Sequence, residues 1–253
     1  MPIPKSGDLQ DCNNYRNVSL ICHASRVLLS IILNRLRQYS ERQLPEEQTG
    51  FRAGRGTRDA LFIMQVMIEK LIDLENKELY LIFIDYSKAF DKVDHGRLFD
   101  IMLDMGIPRH LVELVAGLYN NQEAAVRWNG QLTAWFPIEQ GTRQGCNISP
   151  TEFNLYAERI MRTVEENYEG VVVGGRRITN LRYADDTTLL ASTQERIKKF
   201  FKDLVQESVR YNMYINAQKQ WCSGAGTRRN AVPVNIFLPE RRSGRNLLSQ
   251  PER

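Results

Sequence analysis

The chain has 253 residues, 42% of them hydrophobic, and a formal net charge of +4 at pH 7. That is enough apolar material for one substantial core or two modest ones, which excludes a peptide, a repeat array or a disordered tail. The charge is concentrated at the end: from Gly224 onward six arginines face Glu240 and Glu252, leaving residues 1–223 formally neutral, so bulk charge identifies no polyanionic partner.

The longest apolar runs, LLSIIL from Leu28 and LYLIFI from Leu79, fall far short of the roughly 20 residues of a membrane span. The opening MPIPKSGDLQDCNNYR has no apolar stretch of the kind a secretion signal needs, so an intracellular protein without membrane contact is expected. Cys12, Cys22, Cys146 and Cys222 are far apart and include no C-x-x-C pair, so they are expected as free thiols.

From Ser25, the residues Leu28, Ile31, Ile32 and Leu36 recur at the spacing of one helical face, with Arg35, Arg37 and Arg42 among the polar positions. A Gly- and Arg-rich loop from Thr49 leads to a second helix with Leu61, Met64, Ile68 and Leu71 on one stripe. LYLIFI, apolar on both parities, predicts a central strand covered on both faces, and it ends on Asp85. Two short helices follow, the first capped by Asp94 beside His95 and the second opening at Pro108. AVRWNGQLTAWF then predicts a hairpin turning at Asn129-Gly130.

Ser149, Pro150 and Glu152 have the spacing of a capped helix start, predicting a helix from Pro150 to about Asn167. VVV from Val171, a Gly174-Gly175 turn and the strand RRITNLRYA come next. They lead to Asp185-Asp186 at a hairpin tip and the strand TTLLA. A helix from about Gln194 to Asn212 turns Ile197, Phe200, Phe201, Leu204 and Val205 inward, and a strand around Trp221 closes the unit. The tail after Ser223 has no sustained period and contains three prolines, so it is expected to be poorly ordered. This alternation of strands and long helices predicts an α+β fold, an antiparallel sheet covered by helices on one face.

Three acids thus fall at strand tips: Asp85, Asp185 and Asp186. If the strands are neighbours, the carboxylates converge at one edge, where their repulsion is relieved by cations or protonation. Hard oxygen ligands favour magnesium, and a pair of such ions suits phosphoryl or nucleotidyl transfer. A lone Asp-Asp pair is more often an ordinary turn. His23 and His110 have no metal-ligand spacing.

The segments FIDYSKAFDKVDH, QGTRQGCNISPTEFNLY and LRYADDTTLLA resemble, in order, the polymerase motifs of reverse transcriptases, and among these the non-LTR (LINE-like) retrotransposon enzymes. The resemblance runs from about Pro2 to Ser223, through TGFRAGRGTRDALF to YINAQK. Group II intron maturases share the Tyr-Ala-Asp-Asp core and stand as a minor alternative. The resemblance implies a right-hand polymerase of fingers and palm over residues 1–223, a basic tail over 224–253, no thumb, and RNA-directed DNA synthesis from a DNA primer with deoxynucleoside triphosphates and two Mg2+ ions, manganese being a substitute. It makes Asp85, Asp185 and Asp186 the metal ligands. Phe90 becomes the aromatic gate against the sugar 2′ position, and Tyr86, Gln144 and Gly145 border the incoming nucleotide. Tyr183 lies beside the primer end. Arg52 and Arg55 take triphosphate or template phosphate. Lys219, in INAQK, matches the lysine that protonates the leaving pyrophosphate. Around it the pattern departs from the family, with Asn212-Met213 where Gly-Leu is usual and Gln220 where threonine is usual. Nuclear action follows from the family alone. A catalytically inactive remnant or an RNA-binding module is the other reading.

Overall fold

The computed structural model describes residues 2–4, 8, 10–11, 14–74, 77–128, 130–216 and 221–225. A short antiparallel pair, β1 (Pro2–Pro4) and β2 (Tyr15–Asn17), precedes helices α1 (His23–Gln43) and α2 (Thr57–Ile68); α2 continues into a π-helical turn, Glu69–Leu74. Strand β3 (Leu79–Ile84) leads through a 3-10 turn, Ala89–Lys92, to α3 (His95–Asp104) and α4 (Arg109–Tyr119). Four two-residue strands, β4 (Glu123–Ala124), β5 (Arg127–Trp128), β6 (Gln131–Leu132) and β7 (Phe136–Pro137), pair as β4 with β7 and β5 with β6. Then come α5 (Ser149–Glu165), β8 (Val171–Val173), β9 (Arg176–Ile178), β10 (Asn180–Tyr183), β11 (Asp186–Ala191), α6 (Gln194–Arg210) and β12 (Trp221–Ala225).

The central sheet has the order β10-β11-β3-β12, and every neighbouring pair is antiparallel. Alternation along β3 sends Ile82 and Ile84 to one face and Leu79 and Leu81 to the other, because successive side chains of a strand point oppositely. The first face carries the larger core, with residues of α1, α3, α4, α5 and α6. The second face meets a smaller cluster of Met67 and Leu71 with Val171 and Ile178 of the β8–β9 hairpin. The two-sided apolar pattern of LYLIFI is thereby explained. Phe153, Tyr156 and Phe200 are completely buried between α5, α6 and the sheet. Each such side chain contributes about 1.5–3 kcal/mol by leaving water.

Several expected boundaries move. In α1 the buried face is Leu29, Ile32, Leu33, Leu36 and Ser40, while Leu28 and Ile31 are about half exposed. The run is apolar on adjoining stripes, so periodicity alone cannot choose between faces only a residue apart. In α2 Leu61 is exposed and Met67 takes the buried place. The wider winding of the π turn that follows brings Leu71 into the same cluster as Met67. The helix expected from Pro150 begins at Ser149, with Ile148 in the cap position. Glu152, expected to reach back to the cap, instead accepts a hydrogen bond from the buried Tyr119 hydroxyl at 2.6 Å. The strand RRITNLRYA breaks at Thr179 into β9, which belongs to a separate hairpin, and β10, which enters the sheet.

Other expectations hold. Asp94 caps α3 by accepting from the Arg97 backbone N–H, and the strand at Trp221 pairs with β3. The hairpin around Gly130 is formed by β5 and β6; Asn129 lies outside the described residues. Cys22 and Cys146 are free thiols. Lys219 and residues 226–253 also lie outside the described residues. Among the described residues, no helix is long and apolar enough to cross a membrane.

Candidate active site

Strand register brings the acids together. β11 pairs with β3 so that Thr187 stands opposite Ile84, which places Asp186 opposite Asp85 one step further along. Asp185 sits in the β10–β11 turn, where Tyr183 pairs with Asp186. All three predicted carboxylates therefore lie at one end of the central sheet.

The turn is held from outside the hairpin. Ala184 adopts φ 58°, a left-handed conformation that L-residues seldom take without support. The completely buried Gln48 supplies that support: its Oε1 accepts from the backbone N–H of Ala184 at 3.0 Å and of Gly50 at 2.9 Å. Thr49 donates to the Arg182 carbonyl through both its N–H, at 2.9 Å, and its hydroxyl, at 3.0 Å. Gly50 must be glycine here, because a Cβ would stand 2.2 Å from the Ala184 nitrogen. Beneath the turn, the buried guanidinium of Arg182 pairs with buried Glu158 at 2.6 Å.

Asp85 is fixed by the segment after α6. Its carbonyl accepts from the Asn216 N–H at 2.8 Å, and the Asn216 amide donates to Asp85 Oδ2 at 3.3 Å. The 3-10 turn that follows β3 places Phe90 half-buried on Phe153, with the rings stacked at 4.5 Å. The loop bearing Gln144 and Gly145 is laced to that turn: Thr142 N–H donates to the Phe90 carbonyl, and the Gln144 amide donates to Asp91 Oδ1 at 2.9 Å. Gly145 has φ 98° and lies against the Ser19 carbonyl, 3.0 Å from where a Cβ would be. A side chain there would be strained and crowded at once.

These pieces border one cleft of about 1710 Å³. Asp85, Asp185, Tyr86, Phe90, Gln144 and Gly145 all line it. Asp186 is exposed at the sheet end and is not part of the lining. Tyr86 turns its ring into the core, where its hydroxyl shares a hydrogen bond with Ser208 at 3.0 Å. Burial raises the pKa of that phenol. Tyr183 is half-buried beside the cleft, its ring 6.2 Å from that of Phe51.

Arg52 and Arg55 are not brought to the cleft. The Arg52 guanidinium is buried and committed to Glu41 and to the carbonyls of Pro45 and Gln48, and Arg55 donates to the Glu46 carbonyl. Arg52 folds the loop inward because it meets a carboxylate and two backbone carbonyls there. The cations that do line the cleft are Arg26, Lys88, Lys92 and Arg143. Sequence reasoning missed them, since they are scattered along the chain and none forms a cluster. It also missed Phe51.

Among the described residues no three His, Cys, Asp or Glu side chains stand close enough to enclose a metal ion. A closed cage is not what magnesium requires: it is commonly held by one or two carboxylates together with substrate phosphates and water. Asp85 and Asp185, two hard-oxygen donors facing one cleft, fit that pattern.

The sequence profile described as reverse transcriptase (RNA-dependent DNA polymerase) matches residues 3–225. The chain belongs to this family. Reverse transcriptases generally use divalent metal ions, in accord with the carboxylates at the sheet end. Among curated relatives, the Pol polyprotein of a type-1 retrotransposable element R2 of Nasonia vitripennis is 28% identical over 76% of this chain and 18% of the relative. A 149 kDa protein of transposon TX1 of Xenopus laevis is 27% identical over 94% of the chain and 18% of its own length. The Pol polyprotein of element R2DM of Drosophila melanogaster is 28% identical over 76% and 18%. The chain thus spans about a fifth of the length of these relatives, which are proteins of non-LTR elements, as the motif wording implied.

Solved structures agree on the fold. The apo telomerase of Candida tropicalis superimposes with a TM-score of 0.57 at 15% identity, over 82% of this reverse transcriptase chain and 36% of the telomerase. A telomerase from Candida albicans, solved with a fragment of telomeric RNA, gives 0.56 at 12% identity, over 79% and 34%. The fold is the right-hand polymerase arrangement expected from the motifs, an α+β structure with an antiparallel sheet.

Proposed function

We propose that this chain is the polymerase part of a non-LTR retrotransposon enzyme, extending a DNA 3′-hydroxyl on an RNA template with deoxynucleoside triphosphates. Residues 1–223 serve as its fingers and palm, and residues 224–253 as a basic tail. The observation that carries the reading is the convergence of Asp85 and Asp185 with Phe90 and the Gln144–Gly145 loop on one cleft. The resemblance to a telomerase solved with RNA supports an RNA template, and relatives from retrotransposable elements support the element class.

Asp85 and Asp185, with Asp186 beside them, would hold two magnesium ions, or manganese in their place; when bound, these ions neutralise the triphosphate and make the primer hydroxyl more acidic. The chain's own residues do the rest. Phe90, backed by Phe153 and unable to retreat, presents an apolar edge where a ribose 2′-hydroxyl would lose its hydration without a partner. Gln144, tied to Asp91, and Gly145, with no side chain, form the wall on which a nucleotide lies. Asn216 holds the Asp85 carboxylate in one orientation. Tyr183 serves the primer side, and Lys219 donates a proton to the departing pyrophosphate. Action in the nucleus belongs to the same reading.

The test is extension of a labelled DNA primer on an RNA template with magnesium, comparing the full chain with its Asp185→Ala variant. Activity is expected to fall by more than about a thousandfold in the variant, as when a principal electrostatic stabiliser of a transition state is removed. Extension that survives the substitution sinks the reading. A folded wild-type chain that makes no product points to a remnant.

A further inference from the structure

We propose that Phe51 is a substrate-contacting residue whose ring packs on the nucleoside part of the incoming nucleotide, an inference that rests on the polymerase reading above. Phe51 lines the cleft with Asp85, Asp185 and Phe90, yet half of it is open to solvent. Its backbone has φ 57°, a conformation that is a genuine outlier for a bulky residue. Such strain persists only where the surroundings over-determine it.

The surroundings do so from both sides. Gly50 is trapped against Ala184, and its carbonyl accepts from the buried Asn154 amide at 2.8 Å. Arg52 is buried and bonded to Glu41 at 2.8 Å. With both neighbours fixed, the loop has no freedom to turn Phe51 inward, and its ring is held out over the cleft. There it stands edge-on to Phe90, with ring centroids 6.2 Å apart and planes at 87°, and lies 6.2 Å from Tyr183. A core residue would be buried, and a loop ornament would not be clamped.

A phenyl ring offers no hydrogen bond and no charge, so it cannot read the triphosphate or the edge of a base. It offers a flat apolar face, and every base has a π-face to lay against it. The contact is therefore indifferent to base identity, and it acts on the free nucleotide rather than the duplex because it adjoins Phe90 and the carboxylates. Phe51 and Phe90 form two walls of one apolar corner.

The experiment uses the full chain with a DNA primer on an RNA template, measuring KM for each of the four deoxynucleotides and for primer–template. Phe51→Gly removes the ring while accepting the positive φ, so its melting temperature should be no lower than that of wild type. Its KM is expected to rise roughly tenfold for all four nucleotides, with KM for primer–template unchanged. Phe51→Tyr should restore values near wild type. A nucleotide KM within twofold of wild type, or an increase confined to primer–template, overturns the proposal. If the wild-type chain makes no product, the polymerase reading fails by itself. The contact is then read from equilibrium binding of a fluorescent deoxynucleotide in the presence of primer–template and calcium: weaker binding by Phe51→Gly supports it, and equal binding overturns it.

Discussion

Glu152 is completely buried on α5, and the loss of water around its carboxylate pushes its pKa up to about 7, although the hydrogen bond from Tyr119 and the nearby Arg143 favour the charged form. One oxygen accepts from Tyr119, and the other has no partner among the described residues. A carboxyl with a raised folded pKa binds its proton more tightly in the folded state than in the unfolded one. Its stabilising contribution is therefore complete below the unfolded value near 4.5 and is lost as pH rises through about 7. The loss is of order 3 kcal/mol at 1.36 kcal/mol per pH unit. Glu152→Gln should accordingly leave the melting temperature near pH 5 almost unchanged and raise it at pH 8, flattening the profile between. Thermal melts of both proteins from pH 5 to 8 check this, and parallel profiles would refute it. Nothing in the string SPTEF marks that role. The spacing of Ser149 and Glu152 reads as a capping box, and only the arrival of Tyr119 from α4 draws the carboxylate inward.

At the scale of elements, the segment from Gln48 to Arg52 and the β10–β11 turn form one mechanical unit, although more than 130 residues separate them in the chain. Gln48→Ala leaves the buried N–H groups of Ala184 and Gly50 without their acceptor, at a cost of about 1–3 kcal/mol each. The turn carrying Asp185 then loosens. We expect kcat for primer extension to fall more than tenfold in Gln48→Ala while KM for nucleotide changes little, because the turn positions a carboxylate and does not itself bind the base. Steady-state kinetics beside a melt separate the two effects, and a pure KM change would show that Gln48 acts on substrate instead. The elements themselves were largely legible. The β3 run is apolar and is followed directly by Asp85, β11 opens on Asp186 and runs into Leu189, Leu190 and Ala191, and α6 has a single clean stripe. The coupling was not legible, because a glutamine before a Gly-rich loop carries no local signal of the hairpin it will meet. The same limit misplaced Arg52: in sequence it is a basic loop residue suited to phosphate, while in the fold Glu41 and two carbonyls surround it.

For the whole molecule, the proposed function makes charge the term that decides how nucleic acid would be held. The cleft mixes Arg26, Lys88, Lys92 and Arg143 with Asp85, Asp91 and Asp185, so it presents little net positive field. Residues 1–223 are formally neutral, and the entire net charge of +4 lies from Gly224 onward. Affinity for a single-stranded polyanion comes chiefly from neutralised phosphates and falls with salt in proportion to their number, with a slope of about −0.7 per contact. If the cleft shapes the reaction and the tail supplies the grip, replacing Arg228, Arg229, Arg241, Arg242, Arg245 and Arg253 by glutamine in the full chain should weaken RNA binding. The slope of log K against log salt should shrink by roughly 3 to 4. Turnover at saturating primer–template should stay as it was, because the residues to which the proposed chemistry is given all precede Gly224 in the chain. Filter binding across a salt series measures the slope, and primer extension at high primer–template measures turnover. An unchanged slope would place the phosphate contacts on the cleft cations, and Lys92→Gln and Arg143→Gln would then be the substitutions that lower it.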